Sequence, residues 1–365
     1  MTAPRHICFL TGTLNAMAGA ERMTAVMANA LAERGFAVSI LSLWDAASCF
    51  PLDPRVRHMT LFAKRPSFKR AYAATVAGIR RYCSVHRVDV LIQVDTMLSL
   101  FALLATFGLP VEHIAWEHCH FDEDLGRRSR RFARRLAARY CSHVIVLTDR
   151  DRQRWNTALR PSAAVLALPN PLPFPIPAEP AKGASQTVMA MGRLVNAKGF
   201  DILLRAWQLA VPRMAGWRLK IFGEGEERGA LLTLTQQLGI ADTVDMPGVC
   251  PDPTQSFAQA SMFCLSSRYE GFGLVLIEAM AYGLPIISTD CEAGPRSLLR
   301  NEENGLLVPV DDPSALADAL VRLADDKALR SSLAEYARAQ SAQFAIETVA
   351  EQWQAILTGL PLSRT

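Results

Sequence analysis

The sequence predicts an α/β protein of two Rossmann-like domains, each a parallel sheet covered by helices. Three observations lead to that class. The chain is too long for one core, short apolar runs alternate with helical periodicity along its length, and one proline-dense stretch interrupts it near the middle. At 365 residues the chain exceeds the roughly 250–300 residues that one hydrophobic core holds, so two domains are expected.

The alternation defines the elements. In the first half, residues 7–10 read as a strand, 20–34 as a helix closed by Gly35, 37–43 as a strand, and 88–94 and 142–147 as later strands of one sheet. The uncharged run 96–111 is too short to span a bilayer and reads as a buried core helix. Between 169 and 180 the sequence is PNPLPFPIPAEP, whose prolines forbid helix and central strand, so this is the interdomain linker. A second series follows: strands 187–191, 218–222, 243–246, 262–265 and 285–288, with helices 201–210, 228–238, 273–282 and 314–324. The expected domains are 1–170 and 171–342. Ligand is expected where the strand C-termini of the two domains face a cleft.

Charge is unevenly shared. Residues 1–170 carry 23 Lys and Arg against 13 Asp and Glu, a balance of +10, and residues 171–365 carry 16 against 22, a balance of −6. The basic half points to an anionic partner: nucleic acid, a membrane surface or a phosphate-bearing acceptor. No nucleic-acid reading motif accompanies the charge, so nucleic acid is not expected. The eight cysteines are scattered without a CxxC spacing, which indicates reduced thiols rather than a disulfide framework or a zinc site. Met1 leads directly into an apolar strand without the pattern of a signal peptide, so a cytoplasmic protein is expected.

The chemistry concentrates in EGFGLVLIE, Glu270 to Glu278. Gly271 and Gly273 permit close backbone approach where a loop enters a helix, and the free N–H groups and dipole of a helix start favour a phosphate. A carboxylate beside a phosphate is repulsive unless it accepts from hydroxyls, which suits Glu278 to a ribose and Glu270 to a sugar. Alone, such a pair is more often two solvated glutamates. The context changes its weight: in MGRLVNAKGFDILLRAW, Arg193 and Lys198 flank a strand-to-helix loop, where two cations can neutralise a departing diphosphate in place of a metal. The glycines of Phe222-Gly223-Glu224-Gly225 read as turn formers, since the spacing is not GxGxxG.

These segments, with LGIADTVDMPG, STDCEAGPRSLL and NGLLVPVDD in the same order, resemble glycosyltransferase family 4, whose members have the two-domain GT-B fold. The resemblance implies a retaining glycosyltransferase in which Arg193 and Lys198 bind the donor diphosphate, Glu270 the transferred sugar and Glu278 the ribose, with backbone at Phe272, Gly273 and Leu274 meeting phosphates and sugar. Gly19-Ala20-Glu21-Arg22 resembles the family's first glycine-rich loop, with Ala18 where a second glycine is usual. Ile114 to His120, IAWEHCH, resembles the strand end that places a histidine near the donor sugar, with His118 ahead of His120. CEAGPRSLL resembles the form found with UDP-linked hexoses or N-acetylhexosamines, which favours UDP over GDP. The implied acceptor is a glycan or a polyprenyl-diphosphate-linked oligosaccharide, and no metal or other cofactor is required. By the same resemblance the C-terminal helix, about 343–365, returns to the first domain.

Two Asp-x-Asp segments, 122–124 and 149–151, have the form of a metal site but stand where acids cap helices, and capping is the better reading. The segment 126–140 carries seven arginines, with Phe132, Leu136 and Tyr140 near one stripe. Such a basic helix suits an anionic membrane surface, with Arg127, Arg128, Arg131, Arg134 and Arg135 as acceptor or membrane contacts; a second basic tract is Lys64, Arg65, Lys69, Arg70, Arg80 and Arg81. The location implied is peripheral, on the inner face of the membrane. Three rivals predict other behaviour: a nucleotide-sugar epimerase or hydrolase needs no acceptor, a degenerate GT-B scaffold needs no intact site, and a nicotinamide oxidoreductase needs the GxGxxG-plus-acid pattern, which is missing.

Overall fold

The computed structural model describes residues 4–360 except 125, 184 and 251. It divides the chain into two compact units, Met1–Phe174 with Ile346–Thr365, and Pro175–Ala345. The expected C-terminal helix is thus part of the first unit, and residues 361–365 of that expectation lie outside the described residues.

The first unit contains β1 (His6–Thr11), α1 (Gly19–Glu33), β2 (Ala37–Trp44), β3 (Arg57–Phe62), α2 (Tyr72–His86), β4 (Val90–Val94), α3 (Ser99–Ala105), β5 (Glu112–Trp116), α4 (Arg128–Tyr140), β6 (His143–Val146), α5 (Asp149–Leu159) and β7 (Ala164–Ala167). Its seven strands are all parallel, in the order β3-β2-β1-β4-β5-β6-β7. A parallel sheet is covered on both faces, which is why β4, VLIQV, is buried at every position, Gln93 included. Gln93 is satisfied inside, accepting from Ser99 and donating to His113 Nδ1 at 2.9 Å.

The second unit contains β8 (Thr187–Met191), α6 (Phe200–Ala210), β9 (Arg218–Phe222), α7 (Arg228–Gln237), β10 (Val244–Gly248), α8 (Pro253–Gln259), β11 (Met262–Leu265), α9 (Leu274–Ala281), β12 (Ile286–Thr289), α10 (Pro295–Leu298), β13 (Leu306–Val308), α11 (Pro313–Asp325) and α12 (Lys327–Ser341). The sheet is again parallel, ordered β10-β9-β8-β11-β12-β13. Its core gathers Leu203, Trp207, Leu219, Ile221 and Leu320, all fully buried, and a buried aliphatic side chain of this kind contributes about 1.5–3 kcal/mol. Side-chain caps set the helix starts: Asp312 accepts from Ala315 N at 2.9 Å and Asp326 from Leu329 N at 2.8 Å.

Helix α13 (Ile346–Gly359) closes the first unit by packing on α1, with Trp353 edge-on to Trp116 at 5.1 Å between ring centres. In both sheets the strand order reverses once, between β1 and β4 and between β8 and β11. Ligands of open parallel sheets bind outside the strand C-termini at such reversals.

The run 96–111 departs from expectation. It forms a 3-10 turn, Thr96–Leu98, and the short α3, beyond which Phe107 is 81% exposed; Leu104 is exposed too. One face of the run is in the core, with Leu98, Ala102 and Ala105 buried, and only the other face and the end are open.

Candidate active site

In the second unit the strand-order reversal lies between Gly192, just after β8, and Ser266, just after β11. The two loops are stitched together. Arg268 N donates to Ala197 O at 2.8 Å, and Ser266 Oγ to Lys198 O at 2.9 Å. The Arg268 guanidinium reaches Asn196 O at 2.7 Å, both Asp201 oxygens at 2.9 Å and Asp311 at 2.8 Å. Burial opposes ionisation of Asp201, but Arg268 outweighs it and holds that carboxyl below its usual range.

This frame brings Lys198 and Glu270 together. Lys198 Nζ lies 2.6 Å from Glu270 Oε1, and Ser267 Oγ donates to the same oxygen at 2.6 Å. Glu270 is buried, whereas Lys198 keeps about a quarter of its side chain accessible, 23%. The stem of Lys198 lies over Gly192, and Arg193, one residue on, is exposed. Among the described residues no ion pair engages the Arg193 guanidinium. Phe272 is buried against Phe344, and Gly273 and Leu274 form the start of α9, whose first turn holds no acidic residue. Glu278 lies one turn further on and is buried.

Two glycines make the frame possible. Gly199 has φ +59° and faces the Ser266 carbonyl so closely that a Cβ would collide with it. Gly223, at φ +141°, lies equally tight on the Gly192 carbonyl. The reading of Gly223 as a simple turn former is therefore corrected: it lets the loop after β9 support the loop that carries Arg193.

In the first unit Gly19 is the first residue of α1, and Ala18 before it is extended at φ −130°, a conformation any residue adopts, so the family's second glycine is not needed there. His118 follows β5. Its ring lies 4.5 Å from that of Trp116, and its buried Nε2 has no partner among the described residues; the same holds for Nδ1 of His120. Burial pushes the His118 pKa down to about 4, against the opposing pull of Asp95, so the ring is neutral at pH 7.

Around His118 is a charge network that the sequence reading did not anticipate. Glu117, 1% exposed, accepts from Thr96 Oγ1 at 2.5 Å, Arg134 Nε at 3.1 Å, Arg130 Nη1 at 3.2 Å and Cys119 N at 3.1 Å, the full capacity of a carboxylate. Arg130 also grips Asp95 through two bonds, of 3.0 and 2.8 Å. Burial and the Glu117 charge raise the Asp95 pKa, and Arg130 opposes them. Burial alone would lower the Arg130 pKa, but Glu117 and Asp95 together raise it. Removing one partner from such a cluster strands a buried charge, at a cost of about 3–5 kcal/mol. The signal available was the spacing of Arg130 and Arg134, one turn apart on α4, opposite an acid next to a histidine.

Helix α4 departs from expectation at one arginine. Its inner face is Arg130, Ala133, Arg134, Ala137 and Ala138, while Phe132 and Tyr140 are 56% and 62% exposed. Arg134, expected at a membrane or acceptor, is therefore corrected to a buried structural cation; Arg127, Arg128, Arg131 and Arg135 are exposed. The small alanines let the helix lie close to the sheet, and the two inner arginines are drawn in by Glu117 and Asp95. Of the Asp-x-Asp segments, Asp122 pairs with Arg150 and Arg154, Asp124 with Arg131, and Asp151 sits in the first turn of α5, where Thr148 caps its N–H. Among the described residues no helix is long and apolar enough to cross a membrane.

Two parallel-sheet units, one with a lysine–glutamate pair at its strand-order reversal beside a helix start, form the architecture of the GT-B glycosyltransferases. The fold is shared with Anabaena HepE in complex with UDP and glucose (TM-score 0.83, 21% identity, 97% of this chain and 99% of that one) and with sucrose-phosphate synthase from Thermosynechococcus elongatus (TM-score 0.84, 20% identity, 97% and 98%). Residues 17–174 match the family model Glycosyltransferase Family 4, and residues 176–340 match Glycosyl transferases group 1. An uncharacterized glycosyltransferase of Haemophilus influenzae is 31% identical over 353 residues, covering 97% of this chain and all of the relative. The Campylobacter jejuni GalNAc-alpha-(1->4)-GalNAc-alpha-(1->3)-diNAcBac-PP-undecaprenol alpha-1,4-N-acetyl-D-galactosaminyltransferase is 29% identical, covering 95% of this chain and 96% of its own. The chain belongs to glycosyltransferase family 4 and is a GT-B glycosyltransferase.

Proposed function

We propose that this enzyme is a retaining, metal-independent hexosyltransferase. It moves a hexose or N-acetylhexosamine from a UDP-sugar to a hydroxyl of a glycan or polyprenyl-diphosphate-linked acceptor, at the cytoplasmic face of a membrane. The observation that carries this reading is the Lys198–Glu270 pair of 2.6 Å beside the start of α9. Arg193 and the remaining donors of Lys198 take the diphosphate, assisted by backbone N–H groups at Gly273 and Leu274. Glu270 Oε2, engaged by neither Lys198 nor Ser267, accepts from a sugar hydroxyl, and Glu278 serves the ribose. Gly19 and the neutral His118 of the first unit serve the donor phosphate and sugar.

The acceptor oxygen bonds to the anomeric carbon on the face from which the diphosphate departs. The carbon–oxygen bond to the β-phosphate breaks, its electron pair leaves on UDP, and the acceptor proton passes to the departing phosphate oxygen. Arg193 and Lys198 stabilise the charge that develops there. The choice of UDP is supported by CEAGPRSLL and by the UDP bound to HepE; the lipid-linked acceptor is supported by the name of the Campylobacter jejuni relative. Contact with an anionic membrane is supported by the outer face of α4, where Phe132 and Tyr140 stand among Arg127, Arg128, Arg131 and Arg135.

The test is thermal-shift screening of UDP- and GDP-sugars with and without EDTA, followed by transfer to a polyprenyl-diphosphate acceptor. Stabilisation by UDP-sugars that survives EDTA, with product only when acceptor is present, is expected. Free sugar released from donor alone indicates the epimerase or hydrolase reading. No stabilisation by any nucleotide sugar indicates the scaffold.

A further inference from the structure

The segment from Glu117 to Asp124 has no regular secondary structure, yet several of its backbone groups are held by buried side chains. Arg134 alone takes three carbonyls: His120 at 3.1 Å, Glu123 at 2.9 Å, and Phe121, over whose ring its guanidinium also lies. Glu117 accepts the Cys119 N–H at 3.1 Å, and Asp151 accepts the Phe121 N–H at 2.9 Å. Arg134 in turn is fixed by Glu117, and Glu117 by Arg130 and Thr96. A loop whose backbone is satisfied in this way is held as firmly as a strand.

We infer that Arg134 and Glu117 are positioning residues for His118: they clamp the loop that carries it, so that the imidazole is held ready for substrate before substrate arrives. This rests on the proposed placing of His118 at the sugar. The planar fork of Arg134 is essential, because three carbonyls spread over four residues cannot all be met by an ammonium. Preorganisation of this kind acts on the reaction rate more than on UDP affinity, since His118 is proposed at the transferred sugar while the candidate diphosphate cations belong to the other unit.

The test uses Arg134→Lys, which keeps the charge and loses the fork, and Glu117→Gln, each first shown to be folded by circular dichroism. In the clamped loop the His118 side chain is half-buried with its Nε2 shut off from water, and Asp95 is close enough to pull on its charge. Once the loop loosens, water reaches the ring, and its titration by NMR, assigned through its loss in His118→Gln, is expected to move from about 4 toward 6.5. That readout needs no turnover. In transfer assays kcat is expected to fall tenfold or more with the affinity for UDP unchanged within twofold, and His118→Ala is expected to add little to the loss in Arg134→Lys. In the unaltered protein the Cys119 and Phe121 amides are expected to exchange with deuterium as slowly as those of β5. Fast exchange there, or a folded Arg134→Lys with the parent His118 titration and parent kcat, overturns the inference. If His118→Ala alone leaves kcat intact, the role of His118 at the sugar fails, while titration and exchange still decide the clamp.

Discussion

Lys198 and Glu270, 72 residues apart in sequence, form a 2.6 Å ion pair across the point where the second sheet reverses its strand order. Neither residue belongs to a strand or an α-helix; each sits on a loop fixed by the other loop, so the pair exists before any ligand is present.

The two partners separate by measurement. Lys198→Ala removes a cation from the proposed diphosphate site, so UDP affinity and transfer should both fall, the latter by about 10²–10³-fold. Glu270→Gln removes a sugar acceptor while leaving the cations, so transfer should fall with UDP affinity retained. Calorimetric titration with UDP beside transfer kinetics checks both, and unchanged UDP binding in a folded Lys198→Ala variant counts against the site.

Gly199→Ala tests the frame rather than the chemistry. Its φ of +59° and the nearby Ser266 carbonyl leave no room for a methyl group, so the variant should lose upwards of about 1–2 kcal/mol in urea unfolding and bind UDP more weakly. An unchanged urea midpoint would show that the loops are not interlocked.

Much of this unit was legible because parallel strands read as continuous apolar runs: β8 and β11 fall where the sequence places them, as does β9, whose apolar residues alternate with Arg218 and Lys220. The first sheet was harder. Its edge strand β3, RHMTLF, is half exposed and carries no such run, and β7 is four residues long. In the loops after β8 and β11, Lys198 and Glu270 meet for reasons their places in the sequence already held, a strand end and a helix start. Helix α4 misled at Arg134 because its arginines look alike in sequence, while the deciding partners of the inner two, Asp95 and Glu117, lie on loops that only the sheet order brings beneath it. Periodicity records which residues share a face, not which face turns inward.

His113 sets an acid limit on stability. It is buried, accepts from Gln93 Nε2 at Nδ1, and by elimination donates from Nε2 to Thr106 Oγ1 at 2.7 Å. Burial pushes its pKa down to about 4 from 6.5. Between those values the unfolded chain binds a proton that the folded chain refuses, so stability falls as pH drops through that window, by on the order of 3 kcal/mol at its lower end. Melting temperature should therefore fall between pH 7 and 5, and His113→Gln should flatten that slope. Parallel slopes in the two proteins would remove His113 from the account.

The outer face of α4 carries the last prediction. Phe132 and Tyr140 are exposed on a helix whose neighbour α3 leads to the exposed Phe107, and the arginines around them give a surface that is both apolar and basic. On an anionic bilayer the arginines contribute long-range attraction of about 1 kcal/mol each near the surface, and the rings add burial that salt does not screen. The two contributions differ in their response to ionic strength, and that difference makes the surface testable. Sedimentation with vesicles containing anionic lipid is expected, with little on neutral vesicles. Arg128→Glu with Arg135→Glu should abolish binding at low salt, whereas Phe132→Ser with Tyr140→Ser should leave a weak binding that high salt removes. Neither pair belongs to the buried network, so both variants should keep the parent melting temperature within a few degrees and still transfer to a water-soluble acceptor. Equal absence of binding to anionic and neutral vesicles by the unaltered protein would leave the exposed rings without a bilayer to meet.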